Sequence, residues 1–171
     1  MHTYIKLNCN GVNCMENFDV IVIGSGIAGI SAAIEARDLG ANVVVLERGY
    51  GGGASGLSGG VVYAGGGTSI QKEAGIEDTP ENLFNYLSQE TQGIVKDETL
   101  RRFCEESPGM IEWLIENGAE FKGTVCEYKT SYPTDQHYLY YSGNEKAWPY
   151  MNYATPAPRG HRQVAPGMGS G

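Results

Sequence analysis

The chain has 171 residues, 41% of them hydrophobic, which suits one domain of ordinary size, or one domain plus part of another, with a real core. Twenty acidic against 12 basic residues give a net charge of −8, and the basic residues form no block that could track a phosphate backbone, so no nucleic-acid partner is expected. The opening MHTYIKLNCNGVNC lacks the apolar core and cleavage site of an export signal, and no later apolar run approaches the ~20 residues that span a bilayer, so a cytoplasmic location is expected.

Residues 18–23, FDVIVI, are a short apolar run rich in β-branched residues, as in a strand buried on both faces of a parallel sheet, and Gly24 ends it. From Ile27 to Leu39 the apolar positions recur at roughly helical spacing, and Gly40 stands where a left-handed C-terminal cap belongs. A second apolar run, NVVVL at 42–46, follows at once and finishes in Glu47. Strand, helix and strand thus fit within the ~30 residues of a βαβ unit.

Residues 49–67 hold ten glycines in nineteen positions, a linker-like composition that Leu57, Val61, Val62 and Tyr63 interrupt. Thr79 before Pro80 predicts the start of a helix running through Leu87; residues 97–106 predict another, and Ser107 with Pro108 a third that stops at Gly118. Residues 128–153 hold seven tyrosines with Pro133 and Pro149, which favours short strands and loops. The stretch from Thr155 onward is rich in proline and glycine and carries no evident closing element; within it Arg159, His161 and Arg162 read as an exposed basic loop, with an anion or loop holder as the alternative. Cys9, Cys14, Cys104 and Cys126 form no CxxC pair, so reduced thiols and no metal are expected.

Gly24, Gly26 and Gly29 form GxGxxG at the strand-to-helix turn. The first glycine permits the tight turn, the second lets backbone approach a pyrophosphate, and the third lets the helix lie close on the strand. The free backbone amides at the start of that helix and its dipole favour the two phosphates, so Ser25, Ile27 and Ala28 between the glycines are expected to be cofactor-binding as well. Glu47, 23 residues after Gly24, stands where a carboxylate accepts hydrogen bonds from the adenosine ribose, and it would repel a 2′-phosphate. Arg48 either covers the adenine side or faces solvent. The fold class is therefore α/β, with a Rossmann-like dinucleotide-binding βαβ unit.

Beyond this unit, ERGYGGGASGLSGGVVYAGGGT resembles the glycine- and serine-rich segment of the fumarate reductase and 3-ketosteroid dehydrogenase superfamily of flavoproteins, which returns to the flavin. Ala54, Ser55, Ser58, Gly59 and Gly60 lie at its centre, where small residues let backbone pass near pyrophosphate and isoalloxazine. The resemblance extends from Phe18 to the end, through DETLRRFCEESPGMIEWLIENGAEF, LYYSGNE and PRGHR, and is strongest to the branch of 3-oxo-5α-steroid 4-dehydrogenases.

The resemblance implies a glutathione-reductase-type FAD domain over residues 18–125, and a tyrosine-rich segment over 126–171 leading towards a substrate-capping domain, so the chain is expected to be an N-terminal fragment. It implies FAD as cofactor, held non-covalently, because Gly53 stands where related enzymes attach flavin to a histidine. It implies CH–CH desaturation with hydride transfer to flavin, a 3-ketosteroid as substrate and a separate electron acceptor. Tyr140 and Tyr141 fall at the edge of the steroid pocket, with packing as the alternative role, and the main catalytic residues are expected beyond Gly171. A soluble fumarate reductase and a non-catalytic FAD-binding fragment are the competing functions. Residues 1–14 resemble nothing in the family, so 1–17 is expected to be a disordered extension and Met15 the natural start.

Overall fold

The computed structural model describes residues 3–9, 12–131 and 133–164, in two compact units that divide between Ser58 and Gly59. In the first unit, β1 (Thr3–Cys9) and β2 (Val12–Phe18) pair antiparallel, with Thr3 opposite Phe18 and Cys9 opposite Val12. Over the described residues this hairpin stands in place of the disordered extension expected for residues 1–17, and its ladder pairs the backbone groups that face the partner strand.

The βαβ unit follows as β3 (Val20–Ile23), α1 (Ile27–Asp38) and β4 (Val43–Leu46), the strands parallel and in register from Val20 opposite Val43 to Ile23 opposite Leu46. Asp19 aligns the strand entrances: its main-chain N–H donates to the Asn42 carbonyl, and its carboxylate accepts the Asn42 N–H, each at 2.9 Å. Gly40, at φ +90°, ends α1 as the sequence predicts, and the Ala41 N–H reaches back to the Ala36 carbonyl. The expected burial of the first strand on both faces is not met. Val20 to Val22 are half-buried and Ile23 is 85% exposed, because α1 is the one helix that this unit sets against its parallel strands among the described residues.

The second unit contains β5 (Val61–Tyr63), α2 (Ser69–Glu73), α3 (Pro80–Thr91), α4 (Asp97–Glu116), β6 (Val125–Lys129), β7 (Leu139–Tyr141) and β8 (Gly160–Arg162). Its sheet runs β5-β8-β7-β6, with β8 antiparallel to both neighbours and β6 parallel to β7. The stretch that carried no closing element in the sequence therefore supplies an inner strand. The boundary expected after residue 125 also disappears, since β6 joins the sheet that β5 begins.

The helices show how local signals compete. Thr79 caps α3 by accepting the Asn82 N–H, with Pro80 at the first position, as predicted. The short α2 was missed, although Thr68 and Gln71 form a full capping box that the T-x-x-Q spacing encodes. Ser107 and Pro108 start no new helix, because α4 runs through them without a break. Proline cannot donate to the carbonyl four residues back, here that of Cys104. That carbonyl lies so close to Gly66 that a Cβ there would approach it to 3.0 Å. Ser107 turns its hydroxyl to the Gly65 N–H at 3.0 Å instead of capping a helix. Two apolar clusters hold this unit: Ala64, Ile70, Ile111, Phe121 and Leu139 in one, and Leu83, Phe84, Leu100 and Cys104 in the other.

Candidate functional site

At the end of β3 the chain turns through Gly24, at φ +96°, and the Gly24 N–H donates to the Leu46 carbonyl at 2.8 Å. A Cβ on Gly29 would lie 2.1 Å from the Gly24 oxygen and 3.3 Å from Val22 Cγ1, so glycine here is what lets α1 rest on the turn. Gly26 differs. Its φ is −66°, and an added Cβ would meet nothing nearer than Ser55 Oγ at 3.5 Å and the Gly52 oxygen at 3.8 Å, so the protein itself makes no demand for glycine there. The helical ladder begins with the Ile30 N–H to Gly26 carbonyl bond at 3.0 Å, which leaves the N–H groups of Ile27, Ala28 and Gly29 ahead of it. The Ile27 N–H donates to Ser55 Oγ at 3.1 Å.

Glu47 faces this turn from the end of β4. Its Oε2 accepts both the N–H and the hydroxyl of Ser25 at 2.9 Å, and its Oε1 accepts the Gly49 N–H at 2.9 Å. The Ser25 N–H bond, then those from Gly49 and the Ser25 hydroxyl, hold the carboxyl at about 2, so it is ionised throughout the physiological range. Beside it opens a cavity of about 560 Å³ lined by Ile23, Gly24, Leu46, Glu47 and Arg48. Arg48 thus stands on a concave wall at the mouth of the parallel strands, where ligands of such sheets bind.

The glycine-rich segment splits into two parts of different character. Residues 49–58 belong to the first unit and return to the turn: the Gly52 N–H donates to Ser25 Oγ at 3.0 Å, and Ala54 caps a single 3₁₀ turn, Ser55–Leu57, that ends at Ser58. Gly59 and Gly60 open the second unit. Further along, the main-chain N–H groups are spent inside that unit: Ala64 on the Arg159 carbonyl, Gly65 on Ser107, Gly66 on Asp78, and Gly67 and Thr68 on Gln71 Oε1. These glycines serve packing, since a Cβ on Gly65 would come within 2.8 Å of Asp78 Oδ2.

The basic cluster near the end of the chain overturns its sequence expectation. Arg159, His161 and Arg162 are buried and not part of an exposed loop. Arg159 forms a two-point ion pair with Asp78, Nε to Oδ2 and Nη2 to Oδ1 at 3.0 Å, and both side chains are 0% exposed. Burial pushes the Asp78 carboxyl up, but the Arg159 hydrogen bonds and charge outweigh it and leave it below the usual range. His161 Nδ1 lies 3.0 Å from the Arg159 carbonyl, which can only accept, so Nδ1 carries the proton and Nε2 accepts from the Thr68 hydroxyl at 2.9 Å. Arg162 reaches Asp135 at 2.6 Å. The physical reason is a long-range pair: Asp78, in the loop before α3 and 81 residues away in sequence, neutralises the charge that the local sequence shows as free. Tyr140 and Tyr141 are 1% and 6% exposed in β7, and the Lys146 ammonium lies 3.8 Å from the Tyr141 ring centre. Among the described residues no three metal-ligating side chains gather into a site, and no helix is long and apolar enough to cross a membrane.

The geometry can now be set beside known proteins. The FAD binding domain family matches residues 19–169. The chain belongs to that family. FAD is the family's cofactor, and the Gly24–Gly29 turn, the Glu47 carboxylate and the cavity next to them fit a dinucleotide. The domain is 53% identical over 153 residues to a 3-oxo-5-alpha-steroid 4-dehydrogenase of Comamonas testosteroni, covering 88% of this chain and 29% of that protein. It is 37% identical over 105 residues to an NADH:fumarate oxidoreductase of Klebsiella pneumoniae, covering 60% and 11%. A crystal structure of 3-ketosteroid-delta4-(5alpha)-dehydrogenase from Rhodococcus jostii RHA1, in complex with 4-androstene-3,17-dione, superposes with a TM-score of 0.84 at 42% identity, covering 88% of this chain and 31% of that one. The FAD-binding chain therefore spans less than a third of the length of these relatives.

Proposed function

We propose that this chain is the FAD-binding part of a flavin-dependent oxidoreductase that desaturates a CH–CH group of a 3-ketosteroid. The observation that carries the cofactor assignment is Gly26, a glycine that no protein contact requires, at the N-terminus of a helix pressed onto its turn through Gly29. A pyrophosphate approaching that N-terminus supplies the missing demand, because it needs bare backbone and is attracted by the first-turn N–H groups and the helix dipole. Gly24, Gly26, Ile27, Ala28 and Gly29 then hold the phosphates, Ser25 positions Glu47 through its N–H and hydroxyl, Glu47 holds the adenosine ribose, and Arg48 covers the adenine side of the cavity.

Ala54, Ser55 and Ser58, within the first unit, complete the site towards the pyrophosphate with small side chains and hydroxyls, and Gly59 and Gly60, which continue the chain, are assigned to the cofactor by the family resemblance alone. Gly53 offers no side chain for attachment, which supports non-covalent binding. Bound FAD supplies hydride acceptance from a saturated carbon. The chain's own contribution is to fix the cofactor by its phosphates and ribose; Tyr141, packed under Lys146, is assigned no proton transfer.

The steroid substrate rests on the 53% identity to the Comamonas enzyme, against 37% to the fumarate oxidoreductase. The test uses the natural gene product that contains this chain, purified with FAD. Bleaching of an artificial electron-acceptor dye on addition of a saturated 3-ketosteroid supports the proposal. Oxidation of reduced dye by fumarate, with every 3-ketosteroid inert, moves the substrate to a dicarboxylate. Release of all flavin into solution on acid precipitation checks the non-covalent attachment.

A further inference from the structure

Glu145 stands in the loop of residues 142–149, between β7 and a 3₁₀ turn, Tyr150–Asn152, and it is 1% exposed. Both ends of this loop are anchored: β7 is an inner strand, and the Tyr150 ring packs 5.8 Å from the Tyr86 ring of α3. Polar side chains hold the middle. Tyr63 of β5 donates its hydroxyl to Glu145 Oε1 at 3.0 Å, the Asn144 N–H donates to the Tyr86 hydroxyl at 2.9 Å, and Asn144 Nδ2 donates to Glu90 Oε1 at 2.9 Å. The Gly143 N–H donates to Glu145 Oε2 at 2.9 Å, and a Cβ on Gly143 would lie 2.6 Å from the Tyr86 hydroxyl.

A buried carboxylate needs a cation to itself. The cation that acts on Glu145 from within the core is Arg159, which commits Nε and Nη2 to Asp78 and stands 5.0 Å from the Tyr86 ring centre. Burial therefore lifts the Glu145 carboxyl above its usual range, against the pull of its own main-chain N–H, Tyr63, Arg159 and Gly143. Burial also pushes the phenols of Tyr63, Tyr86 and Tyr141 up, so they stay neutral while the carboxyl ionises. Beside the same loop opens a cavity of about 150 Å³ lined by Lys129, Gly143, Asn144, Lys146 and Ala147. Both lysines are exposed, Lys129 at the end of β6 and Lys146 with its Nζ on the Glu127 carbonyl.

We infer that residues 142–149 form a pH-sensitive latch, closed on Tyr63 and Tyr86 while Glu145 is neutral and opened in its middle when the ionised carboxylate swings out to the cavity of Lys129 and Lys146. The closed loop holds the Glu145 proton more tightly than the open loop, in which the carboxyl returns to water and its ordinary value of 4.5. Closure is therefore complete below about 4.5 and weakens as pH rises through the raised value of the closed form. The opposite response has its own geometry: Arg159 Nη1 is buried without a hydrogen-bond partner, and a carboxylate turning inward to it would tighten the loop as pH rises.

The test is hydrogen exchange at the Asn144 amide in the full-length protein that contains this chain, corrected at each pH for the intrinsic exchange chemistry. Between about pH 5 and about pH 8 the wild-type protection factor should fall at least about threefold, while amides of α3 and β7 keep theirs. A protection factor that is constant or rises over this range overturns the latch, and needs no variant to be read. Glu145→Gln removes the charge and should flatten the profile; a fall in E145Q parallel to the wild type also overturns it. Lys129→Met takes one cation from the cavity and should shrink the fall to less than half of the wild-type fold-change. An unchanged fall in K129M overturns the outward position of the carboxylate.

Discussion

Replacing Gly29 by alanine and, separately, Gly26 by alanine should divide folding from cofactor binding. The Gly29 Cβ would sit 2.1 Å from the Gly24 oxygen, and ordinary contact begins near 3.4 Å, so α1 has to withdraw from the turn by about 1 Å. The obstacle is backbone and cannot rotate away. Overpacking of this kind costs about 1–3 kcal/mol. The Gly26 Cβ meets only ordinary contacts at 3.5 and 3.8 Å, and the backbone at φ −66° accepts any residue. Its penalty is the poorer helix N-cap that alanine makes, about 0.5–1 kcal/mol. Native-state hydrogen exchange at residues 31–36 in α1 reads the helix stability directly, and thermal unfolding with and without FAD reads binding by the shift in midpoint. G29A should lose helix protection roughly tenfold or more, as about 1.4 kcal/mol implies. G26A should keep most of its protection and lose the FAD-induced rise in midpoint, because the methyl occupies the pyrophosphate approach. A G29A variant with wild-type protection, or a G26A variant that FAD stabilises as it does the wild type, refutes this division of labour between the two glycines.

Further outcomes follow from the second unit. Asp78→Asn strips the counter-charge from a fully buried Arg159 and should destabilise the chain by about 3–5 kcal/mol, read from urea unfolding; a loss below about 1 kcal/mol would show that Arg159 finds another partner. Burial pulls the His161 imidazole from 6.5 down to about 4, so the unfolded chain takes up a proton across that interval which the folded chain refuses. Its contribution is therefore complete above about pH 6.5 and is lost as pH falls towards 4, by up to about 3 kcal/mol, and His161 ring resonances that titrate near 6.5 in the folded protein would contradict this. Cys104 is 1% exposed and burial pushes its thiol up to about 11, so iodoacetamide at pH 8 should leave it unmodified in the native chain and label it once urea is added.

The βαβ unit was legible in the sequence because every constraint in it is local. Gly24, Gly29 and Gly40 act on their own turn or on a strand a few residues away, and Glu47 reaches the turn because two short parallel strands of known rise bring residues 25 and 47 together. Thr68 with Gln71, the pair that starts α2, was equally local and could have been read. Of the remaining site residues, Ser55 could be named from its resemblance, but its bond to Ile27 depends on how the glycine segment folds back. The second unit lay beyond local spacing. Pro108 stays inside a helix where the Cys104 carbonyl that it leaves without its N–H packs against Gly66, and Ser107 serves Gly65, 42 residues before it in sequence. Arg159 and His161 look solvent-bound by composition, and are buried at the sheet through Asp78 and Thr68 respectively. A buried charge is stable only where a partner meets it with the right geometry, and that meeting is a property of the folded chain, which brings together residues whose separation in sequence carries no periodic signal.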